Sequence, residues 1–148
     1  MNKQQIEIVQ RTFDMAAPMA DELADRFYTR LFELDPTLRP MFHGDMKQQG
    51  QKLMTVLALA VRGLNKPETI VTAVQRLGQR HAGYGVQTHH YTTVGDALLG
   101  TLAELFGPAF NDEVRQAWTS AYVLLATIMQ EAAAERDAHL PIREAVAA

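Results

Sequence analysis

The sequence predicts an all-α protein. Three observations predict it. Ala, Leu, Met, Gln, Glu and Arg dominate the chain, and these residues favour helices. Apolar residues recur at three- and four-residue spacing, and no segment alternates as a strand would. Pro, Gly and Asn fall between the periodic stretches, where they end one helix and open the next.

Taken in order, the expected helices are 3–17, 19–34, 36–41, 47–63, 67–82, 88–106 and 111–137. Pro18 marks the first boundary. Asp35-Pro36 reads as an N-cap followed by proline at the first helical position. Pro40 to Asp45 reads as a corner, and Asn65-Lys66-Pro67 as a stop and a restart. Gly83 and Gly85 bracket another break, Gly107-Pro108 stops a long helix, and Asn111 caps the last. Pro141 ends the final helix, and the tail from about 138 is expected to fray. Leu23, Phe27 and Leu31 form one stripe, and Leu53, Leu57 and Val61 another. Val94, Leu98, Leu102 and Leu105 form a third, and Val114, Trp118, Ala121, Leu125, Ile128 and Ala132 a fourth. Strict heptads are missing, which argues against a coiled coil.

The 148 residues are expected to make one domain over 1–148. A chain of this size buries roughly 68–70% of its unfolded surface, enough for a core without staples. Fourteen Lys and Arg against seventeen Asp and Glu give a net charge of −3. That balance, with no long basic run, argues against nucleic acid, whose binding rests on neutralising phosphates. Zero cysteines exclude disulfides, thiolate nucleophiles, Cys-type zinc and iron–sulfur clusters. No apolar run reaches the roughly 20 residues that span a bilayer, and Met1 to Gln10 is polar, unlike a signal peptide. The expectation is a cytoplasmic protein with no membrane partner.

The informative residues are polar ones on apolar stripes. Ile70, Val74, Leu77, His81 and Tyr84 are in phase, which aims His81 at the core. A lone inward His is more often a core residue bonded to a carbonyl than a ligand. It cannot build a closed zinc site, which needs about four ligands. One His is enough to hold haem iron, because the porphyrin supplies the other four ligands. Gln49 shares a face with Leu53 and Val56, although it sits near a helix start, where solvent can satisfy it. Tyr28 lies beside the Phe27–Leu31 stripe, with Phe32 one turn later. Taken singly, each reads more readily as an ordinary satisfied polar residue than as a ligand contact.

Together these residues resemble a family. Phe27-Tyr28, Leu31-Phe32, Pro36 and Arg39-Pro40-Met41-Phe42 are similar to the second helix and corner of bacterial globins. Gln49 and Lys52-Leu53-Met54 resemble their distal helix. Arg80-His81, Gly85-Val86, His90-Tyr91, Val94-Gly95, Leu98-Leu99, Gly107, Ala117-Trp118 and Tyr122 follow in order. The resemblance runs from about Glu7 to Glu131. It is strongest to single-domain bacterial haemoglobins and to the globin part of flavohaemoglobins.

The resemblance implies a globin fold of six to eight helices around a haem b pocket. His81 would be the proximal iron ligand and Phe42 would pack on the haem face. Tyr28, Gln49 and Leu53 would form the distal pocket, and Val86, Tyr91, Val94, Leu98 and Tyr122 its walls. Lys52 and Arg80 could reach the propionates, with solvated surface cations as the equal alternative. His43, beside Phe42, is expected to point to solvent. Flavohaemoglobins carry a Glu in the last helix that bonds the residue matching Tyr91. Counted without gaps from Trp118, that position here is Ala133, and Glu131 lies roughly 200° around the helix. Flavin and nicotinamide domains have no room in 148 residues. The implied function is reversible binding of dioxygen and other diatomic gases such as carbon monoxide and nitric oxide. Alternatives are nitric oxide dioxygenation with a separate reductase, and a haem-based gas sensor. A monomer and a homodimer are both compatible with the sequence.

Overall fold

Six long helices account for most of residues 1–138, which the computed structural model describes; the tail expected to fray lies outside the described residues. The helices are α1 (Lys3–Ala16), α2 (Ala20–Leu34), α3 (Met46–Arg62), α4 (Val71–Gly83), α5 (Thr88–Phe106) and α6 (Asp112–Ala138). Short 3-10 turns at Ala17–Met19, Pro36–Met41, Pro67–Thr69 and Gly107–Ala109 link them. No strand occurs among the described residues. The sequence-derived boundaries agree within a residue or two, with one exception. The stretch 67–82 is a 3-10 turn, a break at Ile70, and then α4. Ile70 is buried, and its side chain fills the space over Gly63 at the end of α3. A Cβ on Gly63 would lie 2.1 Å from Ile70 Cγ2. Docking Ile70 there turns the chain before α4 starts.

Side-chain caps open the helices where the sequence places Asn and Asp. Asn2 Oδ1 accepts from Gln5 N at 2.8 Å, and the Gln5 side chain returns the bond to Asn2 N. Asp35 caps the 36–41 turn and Asp45 caps α3, each accepting a backbone N–H. At α5 the reciprocal partners are Gln87 and His90, and Gln87 N donates to His90 Nδ1 at 2.9 Å.

Packing follows the stripes. α1 lies on α6, α2 lies between α3 and α5, and α4 lies on α6. Val9, Phe13, Leu23, Leu31, Val61, Leu102 and Trp118 form the interior. One buried polar contact ties the first helix to the last: Trp118 Nε1 donates to Thr12 Oγ1 at 2.8 Å, and Thr12 donates to Ile8 O. Glycines set the closest crossings. A Cβ at Gly78 would stand 2.3 Å from the Met129 carbonyl oxygen, so α4 meets α6 backbone to backbone. Gly95 allows α5 the same intimacy with the Tyr122 ring on α6, which lies 2.8 Å from an added Cβ.

Two stability outcomes follow. Gly78→Ala puts a methyl into backbone that cannot swing aside, and overpacking of this kind costs about 1–3 kcal/mol. Urea unfolding should show that loss, and an unchanged midpoint would contradict the crossing. The second concerns pH. Burial holds His90 below the ordinary histidine range; neighbouring His89, its ring 4.2 Å away, adds to this, and Asp35 opposes it. A depressed folded value means the neutral form is the stabilising one. Its contribution is complete above the unfolded value of about 6.5 and is lost as pH falls through the lower folded value. His90→Gln keeps an acceptor for Gln87 N but cannot titrate. Its urea midpoint should fall less steeply on acidification; an identical slope would exclude His90 as the source.

Candidate functional site

His81 sits on the last turn of α4 and is half-buried. Its Nδ1 lies 2.8 Å from the carbonyl oxygen of Leu77, four residues back. That contact assigns the proton to Nδ1, which donates, and leaves Nε2 with a free lone pair. Burial holds the imidazole below the ordinary histidine range; the Leu77 bond pulls the other way, and the Arg80 charge pushes further down. The lowered value favours the neutral ring, whose Nε2 lone pair is the form that can coordinate a metal. The exit from α4 braces it. Gly85 takes φ +88°, and Val86 N returns to donate to His81 O at 3.0 Å. The same turn carries Tyr84 off the apolar stripe. Tyr84 is 71% exposed, against the inward position its spacing predicts, because the helix has already ended.

Tyr28 lies mid-way along α2 and is buried. Phe27 and Phe42 meet its ring edge-on at 5.0 and 5.4 Å, and Phe32 stacks on it at 6.0 Å. Phe42 closes the 36–41 turn, half-buried, with its carbonyl held by Arg39 Nη1. Gln49, on the first turn of α3, points its Nε2 at Tyr28 Oη across a long 3.4 Å contact. The amide donates there, so the phenol proton remains for another acceptor. Burial raises the Tyr28 pKa, which keeps that proton in place. Leu53, one turn beyond Gln49, is half-buried.

α5 contributes Tyr91 and Leu98, both buried, and Val94, half-buried. Tyr122 on α6 donates its hydroxyl to Tyr91 O at 2.6 Å. The Tyr91 hydroxyl is buried and has no partner among the described residues. Ala133 has no carboxylate to offer it, and Glu131 is exposed. Lys52 and Arg80 are exposed and make no ion pair among the described residues. His43 is exposed at the corner. The spacing did not identify the Tyr122–Tyr91 contact, which depends on how α5 and α6 slide past each other. A backbone carbonyl as the partner of His81 was legible in the sequence, and the structure identifies it as that of Leu77.

These donors fit a haem rather than a bare ion. No group of three His, Cys, Asp or Glu among the described residues could hold a metal. One imidazole with a free Nε2 suits a metal that brings its own equatorial ligands. The Leu77 carbonyl orients it, as outer partners orient metal-bound histidines. Leu53, Leu57 and Val94 pack, half-buried, against the core that holds Tyr28, Val86 is half-buried just past the end of α4, and Gln49 reaches Tyr28 across the α2–α3 contact. No described helix is long and apolar enough to cross a membrane.

The relatives agree with this architecture. The chain is 32% identical over 140 residues to a flavohemoprotein of Bordetella pertussis, covering 88% of this chain and 35% of that one. It is 30% identical over 131 residues to a flavohemoprotein of Vibrio cholerae, covering 86% and 33%. It thus spans about a third of the length of these relatives. Among solved structures, an engineered carbene transferase described as a putative nitric oxide dioxygenase from Rhodothermus marinus superposes with a TM-score of 0.85. That pair is 27% identical and covers 93% of this chain and 96% of the other. A bacterial globin from Campylobacter jejuni shares the fold, with a TM-score of 0.80 at 24% identity and coverage of 90% and 97%. The globin family model matches residues 25–129. With six helices in the globin arrangement and the family match spanning most of its length, this chain belongs to the globin family, a membership that implies haem binding.

Proposed function

We propose that this protein is a cytoplasmic haem b protein that binds dioxygen reversibly, with His81 as the proximal ligand and Tyr28 and Gln49 as distal donors. The observation that carries the reading is the division of polar groups. One imidazole is oriented by Leu77 O and keeps Nε2 free, while a separate phenol–amide pair keeps hydrogens to donate. Haem, when bound, would supply an iron able to bind a diatomic gas. Tyr28 and Gln49 would donate hydrogen bonds to a polar ligand held there, which would favour retention of dioxygen over the less polar carbon monoxide. Phe42, Leu53, Val86 and Val94 exclude water from the same space. Tyr91, Leu98 and Tyr122 form the wall on α5 and α6, with Lys52 available to the propionates; Arg80 instead lines a groove between α4 and α6.

A second reading is nitric oxide dioxygenation supported by a separate reductase. It draws on the Rhodothermus marinus protein, described as a putative nitric oxide dioxygenase, and on the flavohemoprotein relatives. Sustained nitric oxide consumption that needs an added reductase would establish it over reversible binding alone.

The distal pair gives the sharpest test. Tyr28→Phe removes a hydroxyl and keeps the ring packing, and Gln49→Leu replaces an amide with an apolar side chain. Each should raise the dioxygen dissociation rate roughly tenfold or more, as about 1.4 kcal/mol per lost bond implies. Carbon monoxide dissociation should change much less. Tyr28→Phe should have the larger effect, since three aromatic rings fix Tyr28 while Gln49 sits on a first helical turn. The double variant should depart from additivity by about 0.5–3 kcal/mol. Equal effects on both gases in stopped-flow would mean altered access, and the donor assignment would fall.

A further inference from the structure

The charges of this chain are segregated. Residues 46–95 hold six of the fourteen Lys and Arg and one of the seventeen Asp and Glu. That stretch is +5, and the rest of the chain is −8. α4 is the extreme case. It carries Arg76 and Arg80, both exposed and one turn apart, and no acidic residue at all. Among the described residues the ion pairs join Arg26 to Glu22 and Glu104 and Arg30 to Glu104, and none involves Arg76 or Arg80.

The two arginines line a groove of about 1060 Å³ between α4 and the end of α6. Gln79 and the turn residue Tyr84 line it from the α4 side, and Glu135 and Arg136 from α6. Tyr84, at 71% exposure, is the most exposed of the large hydrophobic side chains described. A Tyr projecting beside paired Arg is the composition that protein interfaces concentrate at their centres. The groove runs along the helix that bears His81, and the Arg80 charge is felt at that ring.

We propose that this α4–α6 groove docks an acidic face of a separate flavoprotein reductase. The inference rests on the second reading above, in which a separate reductase serves this chain, and it adds the place and the chemistry of contact. Arg76 and Arg80 supply the complementary charge, Gln79 adds polar contacts, and Tyr84 is the apolar anchor. Charges of one sign at a groove steer an oppositely charged partner and make association sensitive to salt. The rest of the chain carries −8 and includes Glu135 on the α6 wall, so the attraction is carried by the α4 side of the groove.

The test uses the haem-loaded chain, labelled with ¹⁵N and titrated with oxidised flavodoxin, an acidic flavin protein, at low salt. Shift changes should concentrate on α4, Tyr84 and the end of α6. Arg76→Glu combined with Gln79→Glu should raise Kd tenfold or more, and so should salt of about 0.2 M, which shortens the screening length. The control pair Arg11→Glu with Gln116→Glu makes the same change in net charge on exposed positions of α1 and α6, and should leave binding within about twofold. Equal weakening by both pairs, shifts centred elsewhere, or insensitivity to salt would overturn the docking surface. So would tighter binding of a short DNA duplex, or self-association of the chain that displaces flavodoxin. The Soret band is recorded for each variant. Haem retained without flavodoxin shifts overturns the docking surface alone, whereas no haem in the unsubstituted chain overturns the functional reading and this one with it.

Discussion

A single hydrogen bond within one helix turn organises the proposed site: His81 Nδ1 to Leu77 O. It sets the tautomer, fixes the ring plane and frees Nε2. The bond holds only if α4 stays regular through its last turn. Gly78 lets α4 lie directly on the Met129 backbone, and Val86 N ties the next turn back to His81 O. Neither contact touches the proposed ligand, yet both decide where the imidazole stands. Burial then favours the neutral ring, the state in which it can act as a ligand.

The proposed distal half is built by different means. Tyr28 is positioned by three aromatic rings rather than by a backbone bond, and Gln49 reaches it from a neighbouring helix. The Pro36–Met41 turn matters here because it delivers Phe42 against both Tyr28 and Phe32. A rigid phenol beside a longer, looser amide gives two donors of unequal fixity. That inequality is a physical basis for ranking them, independent of any family resemblance.

Much of this was legible in the sequence because helix periodicity is local. The stripes through Phe27, Leu53, His81, Leu98 and Trp118 locate the helices and aim the polar residues, and the stops at Asp35, Asn65 and Gly107 set most ends. What the sequence left unread depends on contacts between distant segments. Ile70 breaks the expected 67–82 helix because it docks on Gly63, and Tyr84 leaves its stripe because Gly85 turns the chain. Tyr122 finds the Tyr91 carbonyl through the slide of α6 along α5. The unpartnered Tyr91 hydroxyl could be anticipated in part, since Ala133 stands where a carboxylate was sought.

The account turns on His81 as the sole protein ligand of a haem, and reconstitution with a cavity variant measures that directly. Haem is titrated into the apo-protein and into His81→Gly, with and without added imidazole, and the Soret band is followed. The account predicts one haem per chain in the unsubstituted protein. It predicts weak retention with an altered spectrum in His81→Gly, and recovery of the original spectrum when imidazole is supplied. Full haem retention with the original spectrum in His81→Gly, without imidazole, would contradict it.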